Sequence, residues 1–151
     1  MKHLKIGDSA PTFKVKNQSD RMVELNQFKG KKLVIYFYPK DNTPGCTTQA
    51  CNLRDNYTEF TDKGYEILGV SADSVTKHEK FIAKQNLPFD LLADEDRTML
   101  NAYGVWGLKK FMGKEYNGIH RTTFVIDENH IIINIIEKVK TKEHAKQILD
   151  V

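Results

Sequence analysis

Residues 33–60 constrain the fold more than any other part of the chain. Leu33-Val34-Ile35-Tyr36-Phe37 is an unbroken apolar run rich in β-branched and aromatic residues, which reads as a buried strand. Cys46, Ala50, Leu53, Tyr57 and Phe60 then recur at spacings of four, three, four and three, which makes one face of an amphipathic helix. Thr43-Pro44 supplies an N-cap type followed by proline at the first helical position. A core strand therefore enters a helix through a short polar turn, and Cys46 falls in the helix's first turn.

Both cysteines of the chain, Cys46 and Cys51, lie in this segment, five positions apart. The first turn of a helix presents backbone N–H groups without intrahelical partners and the positive end of the macrodipole. Both favour thiolate over thiol, and the thiolate is the nucleophile. The alternative is a small core cysteine packed on Ala50 and Leu53; the helix start and the second cysteine favour a reactive one. Five residues along a helix give ~7.5 Å of rise and ~140° of rotation, hence ~8.6 Å between Cα atoms. A disulfide needs Cα atoms within about 7 Å. If both residues are helical, a static bond is excluded, and the reading favours a cycle in which the helix start melts so that Cys51 reaches Cys46.

The 151 residues suit one domain, read here as spanning 1–151, with no repeat, low-complexity segment or long linker to divide it. A net charge of +3 with scattered lysines gives no footprint for nucleic acid. No apolar run reaches the ~18–20 residues that span a membrane. The opening Met-Lys-His-Leu-Lys-Ile-Gly-Asp lacks the apolar core of a signal peptide, so a reducing, cytoplasmic compartment is expected. There a close cysteine pair points to catalysis or metal rather than to a structural crosslink. None of His3, His78, His120, His130 and His144 stands at metal-ligand spacing with the cysteines, and no phosphate loop or dinucleotide fingerprint is present, so no metal or cofactor is expected.

In chain order, Phe13–Val15 and Met22–Val23 flank a polar turn at 17–20 and suggest an N-terminal hairpin, and Leu25–Phe28 one helical turn. Beyond the strand at 33–37, the pattern predicts a helix over 46–63 stopped by Gly64, a strand over 65–71 and a helix over 75–86. A short strand at 89–92 and a helix over 95–103 follow. Residues 106–118 read as a glycine-bearing loop. Thr122–Ile126 and Ile131–Ile136 form a hairpin about Asp127-Glu128-Asn129-His130, and a helix over 142–149 closes the chain. This order predicts an α/β fold with a central sheet covered by helices on both faces.

The motifs resemble one family in particular. Pro39-x-x-x-Thr43-x-x-Cys46 is similar to the peroxiredoxin active-site motif, and Thr43-Pro44-Gly45-Cys46-x-x-x-x-Cys51 resembles its bacterioferritin-comigratory-protein branch, or peroxiredoxin Q. The resemblance continues through Arg54-Asp55, Leu92-x-Asp94-Glu95-Asp96, Tyr103-Gly104-Val105-Trp106-Gly107, Met112-Gly113-Lys114 and Gly118-Ile119-x-Arg121-x-Thr123-Phe124-x-Ile126-Asp127. It covers nearly the whole chain and implies the peroxiredoxin variant of the thioredoxin-like fold, with a mixed central sheet.

The resemblance also implies roles. Cys46 would attack a hydroperoxide and become a sulfenic acid, and Cys51 would resolve it to an intramolecular Cys46–Cys51 disulfide reduced by thioredoxin or a similar dithiol. Thr43 would hydrogen-bond the peroxide. Arg121, otherwise a solvated arginine at a strand edge, would stabilise the thiolate and hold peroxide oxygens with its fixed fork of donors. Pro39 would shield the pocket from water, and Tyr38 would wall it. His120, next to Arg121, is the one histidine near these residues in sequence, and adjacent residues of a strand point to opposite faces. A monomer is expected, without nucleic-acid or membrane partners. A protein disulfide oxidoreductase, which would prefer the C-x-x-C pair absent here, and a non-catalytic redox-sensing module are the competing functions.

Overall fold

The structure, a computed structural model, describes residues 3–150. A five-stranded mixed sheet of order β5-β4-β3-β8-β9 forms the centre. Its strands are β3 (Lys32–Phe37), β4 (Tyr65–Ser71), β5 (Asp90–Ala93), β8 (Thr122–Ile126) and β9 (Ile132–Ile136). β3, β4 and β5 run parallel, whereas β8 is antiparallel to both β3 and β9. The N-terminal hairpin expected from the sequence is β1 (Lys14–Lys16) with β2 (Met22–Glu24), followed by one 3₁₀ turn at Leu25–Phe28.

Alternation along β3 divides the core in two. Leu33, Ile35 and Phe37 pack with Leu68, Val70, Phe124 and Ile126 beneath the N-terminal hairpin and α4 (Thr98–Ala102). Val34 and Tyr36 pack on the other face with Ile67 and Val125, under α1 (Pro44–Asp55), α2 (Tyr57–Asp62), α3 (Val75–Gln85) and α5 (His144–Leu149). Helices therefore cover both faces, four against one. A central strand buried on both sides has no polar face, which is why 33–37 reads as a continuous apolar run. Opposite Tyr36 stands Gly69, where a Cβ would come within 2.8 Å of the tyrosine hydroxyl.

Three expectations are corrected. The helix expected over 46–63 starts at Pro44 and breaks at Asn56, whose side-chain amide donates to the Asn52 carbonyl at 2.8 Å and competes with the helical ladder. The apolar stripe survives the break because α2 returns Phe60 to the same core. The helix expected over 95–103 begins only at Thr98, since Arg97 adopts φ 64° and the Asp94 carboxylate accepts from the N–H groups of Met99 and Leu100. The stretch 106–118 is a hairpin, not a loop. β6 (Trp106–Phe111) pairs with β7 (Lys114–Ile119) across Met112 and Gly113, both at positive φ, as a type I′ turn requires. Most of this arm is exposed on both faces, so it lacks the alternation that marks a strand in sequence.

α5 docks through a buried histidine. His144 Nε2 lies 2.7 Å from Thr123 Oγ1 on β8, and Nδ1 lies 2.8 Å from Gln147 Oε1. An amide oxygen can only accept, so Nδ1 carries the proton and Nε2 accepts from the threonine hydroxyl. Burial pushes the imidazole down to about 4, against a smaller opposing effect of the Gln147 bond. The unfolded chain therefore takes a proton below pH ~6.5 that the folded chain refuses until about pH 4. Stability from this site is complete above pH ~6.5 and declines as pH falls towards 4, by roughly 2–3 kcal/mol. We expect urea-unfolding free energies of His144→Leu to lose that much less than wild type between pH 7 and 4.5; parallel pH profiles would show that His144 does not titrate on unfolding.

Candidate active site

Chain direction assembles the site. β3 ends at Phe37, opposite Thr122, the first residue of β8. Antiparallel pairing therefore sets Arg121 beside the turn that leaves β3 for α1. In that turn Asn42 adopts φ 61° and Thr43 returns to extended backbone at φ −95°, ψ 155°. The Thr43 carbonyl accepts the first helical bond from Thr47 N–H at 2.8 Å, so Thr43 is the N-cap residue by backbone. Its side chain does not cap, which corrects half of the expectation: Oγ1 donates back to the Lys40 carbonyl at 2.8 Å. Pro44 occupies the helix start as expected.

Cys46 is 2% exposed and packs in the core with Tyr36, Tyr38, Ala50 and Leu53. Arg121 Nη2 donates to its sulfur at 3.3 Å, and Nη1 donates to Gln49 Oε1 at 2.5 Å. The two prongs of the guanidinium thus hold two residues on successive turns of α1. Gly45 leaves room for this: a Cβ there would stand 3.3 Å from Nη2. The sulfur thus has a fixed cationic donor at hydrogen-bond distance. Lys109, which donates to the Ile119 carbonyl, adds a second cation near the site; burial and then Arg121 push its ammonium below the ordinary lysine range.

Cys51 lies further along the same unbroken helix, half-buried, and both cysteines are free. Its thiol faces Gln85 Oε1 on α3 at 3.4 Å. One residue on, Asn52 is tied to the start of α5, donating to the Lys142 carbonyl at 2.9 Å and accepting from Ala145 N–H at 2.7 Å. The expected geometry, two helical cysteines too far apart to bond, is the geometry found.

Of the residues singled out in the sequence, the structure joins Cys46 and Arg121 directly and sets Pro39 and Thr43 on the turn leading to them. The Tyr38 ring shares the core around Cys46, but its hydroxyl is taken by Asp41. His120 turns its Nε2 to the Leu108 carbonyl and forms no pair with either cysteine. Sequence reading missed Gln49, fully buried, although a polar residue three positions after Cys46 within an apolar stripe marks a position with a partner.

The profile of the AhpC/TSA family matches residues 6–135. The chain belongs to the AhpC/TSA family. It is 48% identical over 146 residues to peroxiredoxin Bcp of Bacillus subtilis, which spans 97% of this chain and 93% of that protein. The structure of a cysteine-to-serine mutant of Xylella fastidiosa PrxQ superposes with a TM-score of 0.92 at 33% identity, covering 99% of this chain and 96% of that one. A structure of Xanthomonas campestris bacterioferritin comigratory protein, from a study of its alkyl peroxide reduction, gives a TM-score of 0.86 at 38% identity over 91% and 88% of the two chains. The family, the thioredoxin-like peroxiredoxin fold and the enzyme class, a thiol-dependent peroxidase, agree with the resemblance read in the motifs.

Proposed function

We propose that Cys46 is the nucleophile of this peroxidase and Cys51 its resolving thiol. The observation that carries the reading is the Arg121 donor 3.3 Å from the Cys46 sulfur at the start of a helix that also bears Cys51. The Cys46 thiolate attacks the terminal oxygen of a hydroperoxide. A sulfur–oxygen bond forms, the O–O bond breaks, and the leaving oxygen takes the electron pair and a proton to depart as water or alcohol. Thr43 Oγ1 spends its own proton on Lys40, so it is left as an acceptor for the peroxide O–H. Arg121 and the Cys46 N–H donate to the oxygens that gain charge. Pro39, which has no N–H, keeps the turn beside them free of a competing donor.

The sulfenic acid then condenses with the Cys51 thiol: a sulfur–sulfur bond forms, the S–O bond breaks, and the hydroxyl leaves with the thiol proton as water, giving a disulfide that a dithiol reduces by exchange. Thioredoxin is the donor this chemistry suits, hydrogen peroxide and organic hydroperoxides are the substrates, and a reducing cytoplasm is the setting; we take the working unit to be a monomer. No helix is long and apolar enough to cross a membrane among the described residues.

Cys46→Ser should abolish peroxide turnover, whereas Cys51→Ser should consume one equivalent and stop with a dimedone-reactive sulfur at Cys46. Normal thioredoxin-driven turnover by either variant would remove that cysteine from the scheme. Arg121→Lys keeps the charge but loses the fork that reaches both Cys46 and Gln49. Loss of a charge-assisted bond of ~1.5–3 kcal/mol in the transition state should slow the peroxide step roughly 10- to 150-fold. A second-order rate equal to wild type in stopped flow would make Arg121 a bystander.

Resolution requires α1 to open, because ~8.6 Å between helical Cα atoms exceeds the reach of a disulfide. Asn52 holds the downstream half of the helix on α5, so opening is confined to residues before it. On oxidation, amide-exchange protection should fall across 47–51 while that of 33–37 stays high. Unchanged protection of 47–51 in the disulfide form would show that resolution proceeds without melting.

A further inference from the structure

A second polar cluster adjoins the turn between β3 and α1. Tyr38 Oη is 2.5 Å from Asp41 Oδ1, and His78 Nδ1 is 2.6 Å from Asp41 Oδ2. His78 Nε2 is 2.9 Å from the Leu92 carbonyl. Asp41 N–H donates to Asp73 Oδ2 at 2.8 Å, and the Ser71 hydroxyl donates to the same oxygen at 2.7 Å. Asp41, His78 and Asp73 are all buried. One residue of the turn is thereby bonded to Asp73, just past β4, and to His78 of α3, which in turn reaches the Leu92 carbonyl of β5.

The protons of this cluster can be counted. A carbonyl only accepts, so His78 Nε2 carries a hydrogen and its ring cannot rotate without losing that bond. The contact between Nδ1 and Oδ2 then holds one proton, and the tyrosine hydroxyl donates to the other carboxyl oxygen. Ligand atoms of Asp41, Asp73 and His78 lie within 4.8 Å of one another, a spacing that a cation could also use. Each residue is instead engaged by a hydrogen-bond partner, which makes the cluster a closed network rather than an open ligand set.

We propose that Asp41, oriented by His78 and Tyr38, is a positioning residue for the peroxide step: it fixes the turn that places Thr43 and the first turn of α1. The inference rests on the assignment of Cys46 and Thr43 made above. Asp41 directly precedes Asn42, the left-handed residue at which the chain reverses, and Thr43 follows. Around this reversal the side chains of Lys84 and Thr43 make only bonds to Asn42 Oδ1 and the Lys40 carbonyl. The first is an exposed bond to α3 and the second stays within the turn. Asp41 instead holds the buried groups Asp73, just past β4, through its N–H, and Tyr38 and His78 through its two carboxyl oxygens. Displacing such a turn by about 1 Å is enough to cost a positioned reaction on the order of 100-fold.

The test separates orientation from plain stability. Asp41→Ala removes the network, whereas Asp41→Asn keeps the shape, accepts from Tyr38 through Oδ1 and donates to a neutral His78 Nδ1 through Nδ2. The rate constant of Cys46 with hydrogen peroxide is measured on folded, reduced protein by competition with a haem peroxidase, beside reduction of the preformed disulfide by dithiothreitol. We expect Asp41→Ala to lose roughly 10- to 100-fold in the peroxide step with disulfide reduction unchanged. Asp41→Asn should recover most of the loss. A wild-type peroxide rate in Asp41→Ala overturns the proposal, as does an equal loss in both variants. Should Asp41→Ala not fold, Tyr38→Phe replaces it: a severalfold loss supports the proposal and a wild-type rate overturns it. Stoichiometric metal in the wild-type protein that is absent from Asp41→Asn would also overturn it. Cys46→Ser serves as the control: if it retains turnover, the assignment of the nucleophile fails, independently of these outcomes.

Discussion

A sulfur and a guanidinium separated by 75 positions in the chain meet at 3.3 Å because β8 lies antiparallel against β3. Every other property of the site hangs on that pairing. The C-terminal end of β3 launches α1, and the N-terminal end of β8 delivers Arg121 to the same edge. Arg121 could not reach Cys46 from a parallel neighbour of β3, whose start would stand at the opposite end of the sheet. The pairing is stable because both strands are buried on both faces, with Val34, Ile35, Val125 and Phe124 opposite one another in register. The apolar core thus fixes the relative position of two polar groups more firmly than any bond between them could.

α1 carries two opposing requirements. In the proposed scheme the site needs its first turn intact, since Arg121 grips Cys46 and Gln49 one turn apart, and the cysteine pair needs that turn open. The distribution of ties along the helix reconciles them. Asn52 is bonded twice to the start of α5, and Leu53 is buried in the core. Thr47 and Thr48 face outward in part, and the Thr48 hydroxyl bonds only the Pro44 carbonyl of its own helix. Opening the first turns therefore forfeits local bonds and the Arg121 grip, whereas opening beyond Asn52 would forfeit the packing of α5. Local stability of this kind is set by which groups have long-range partners.

Much of this was legible in the sequence because it rests on periodicity and on local chemistry. The strand at 33–37, the helix face through Cys46, Ala50 and Leu53, and the hairpin about 127–130 follow from patterns within a few residues. The β6–β7 arm was not legible, because strands exposed on both sides carry no alternation, and Met-Gly is an uncommon pair for a tight turn. The start of α4 was hidden in a side chain, Asp94, that caps the helix from four residues upstream. Gln49 carried a local signal, a polar residue inside an apolar stripe, whereas His78 and Asp41 carried none. Their meaning appears only when α3 packs against the β3–α1 turn, 37 positions away in the chain.

Polar matter in the core on this side of the sheet serves direction rather than strength. An apolar residue in place of Asp41 could fill the same space, and replacing a buried polar network by packed side chains often leaves stability unchanged or improved. It could not fix the turn, because packing tolerates sliding and rotation that a set of directional bonds does not. Three bonds from one carboxyl group and its own N–H define where Asp41 sits and how its backbone leaves for Asn42. His144 makes the contrasting case. Its two partners, Thr123 and Gln147, are neutral, so burial alone dominates and the ring stays uncharged while it seats α5. One buried histidine thus docks a helix, and the other, through the Asp41 carboxyl group, is bonded to the turn that leads into α1 and Cys46.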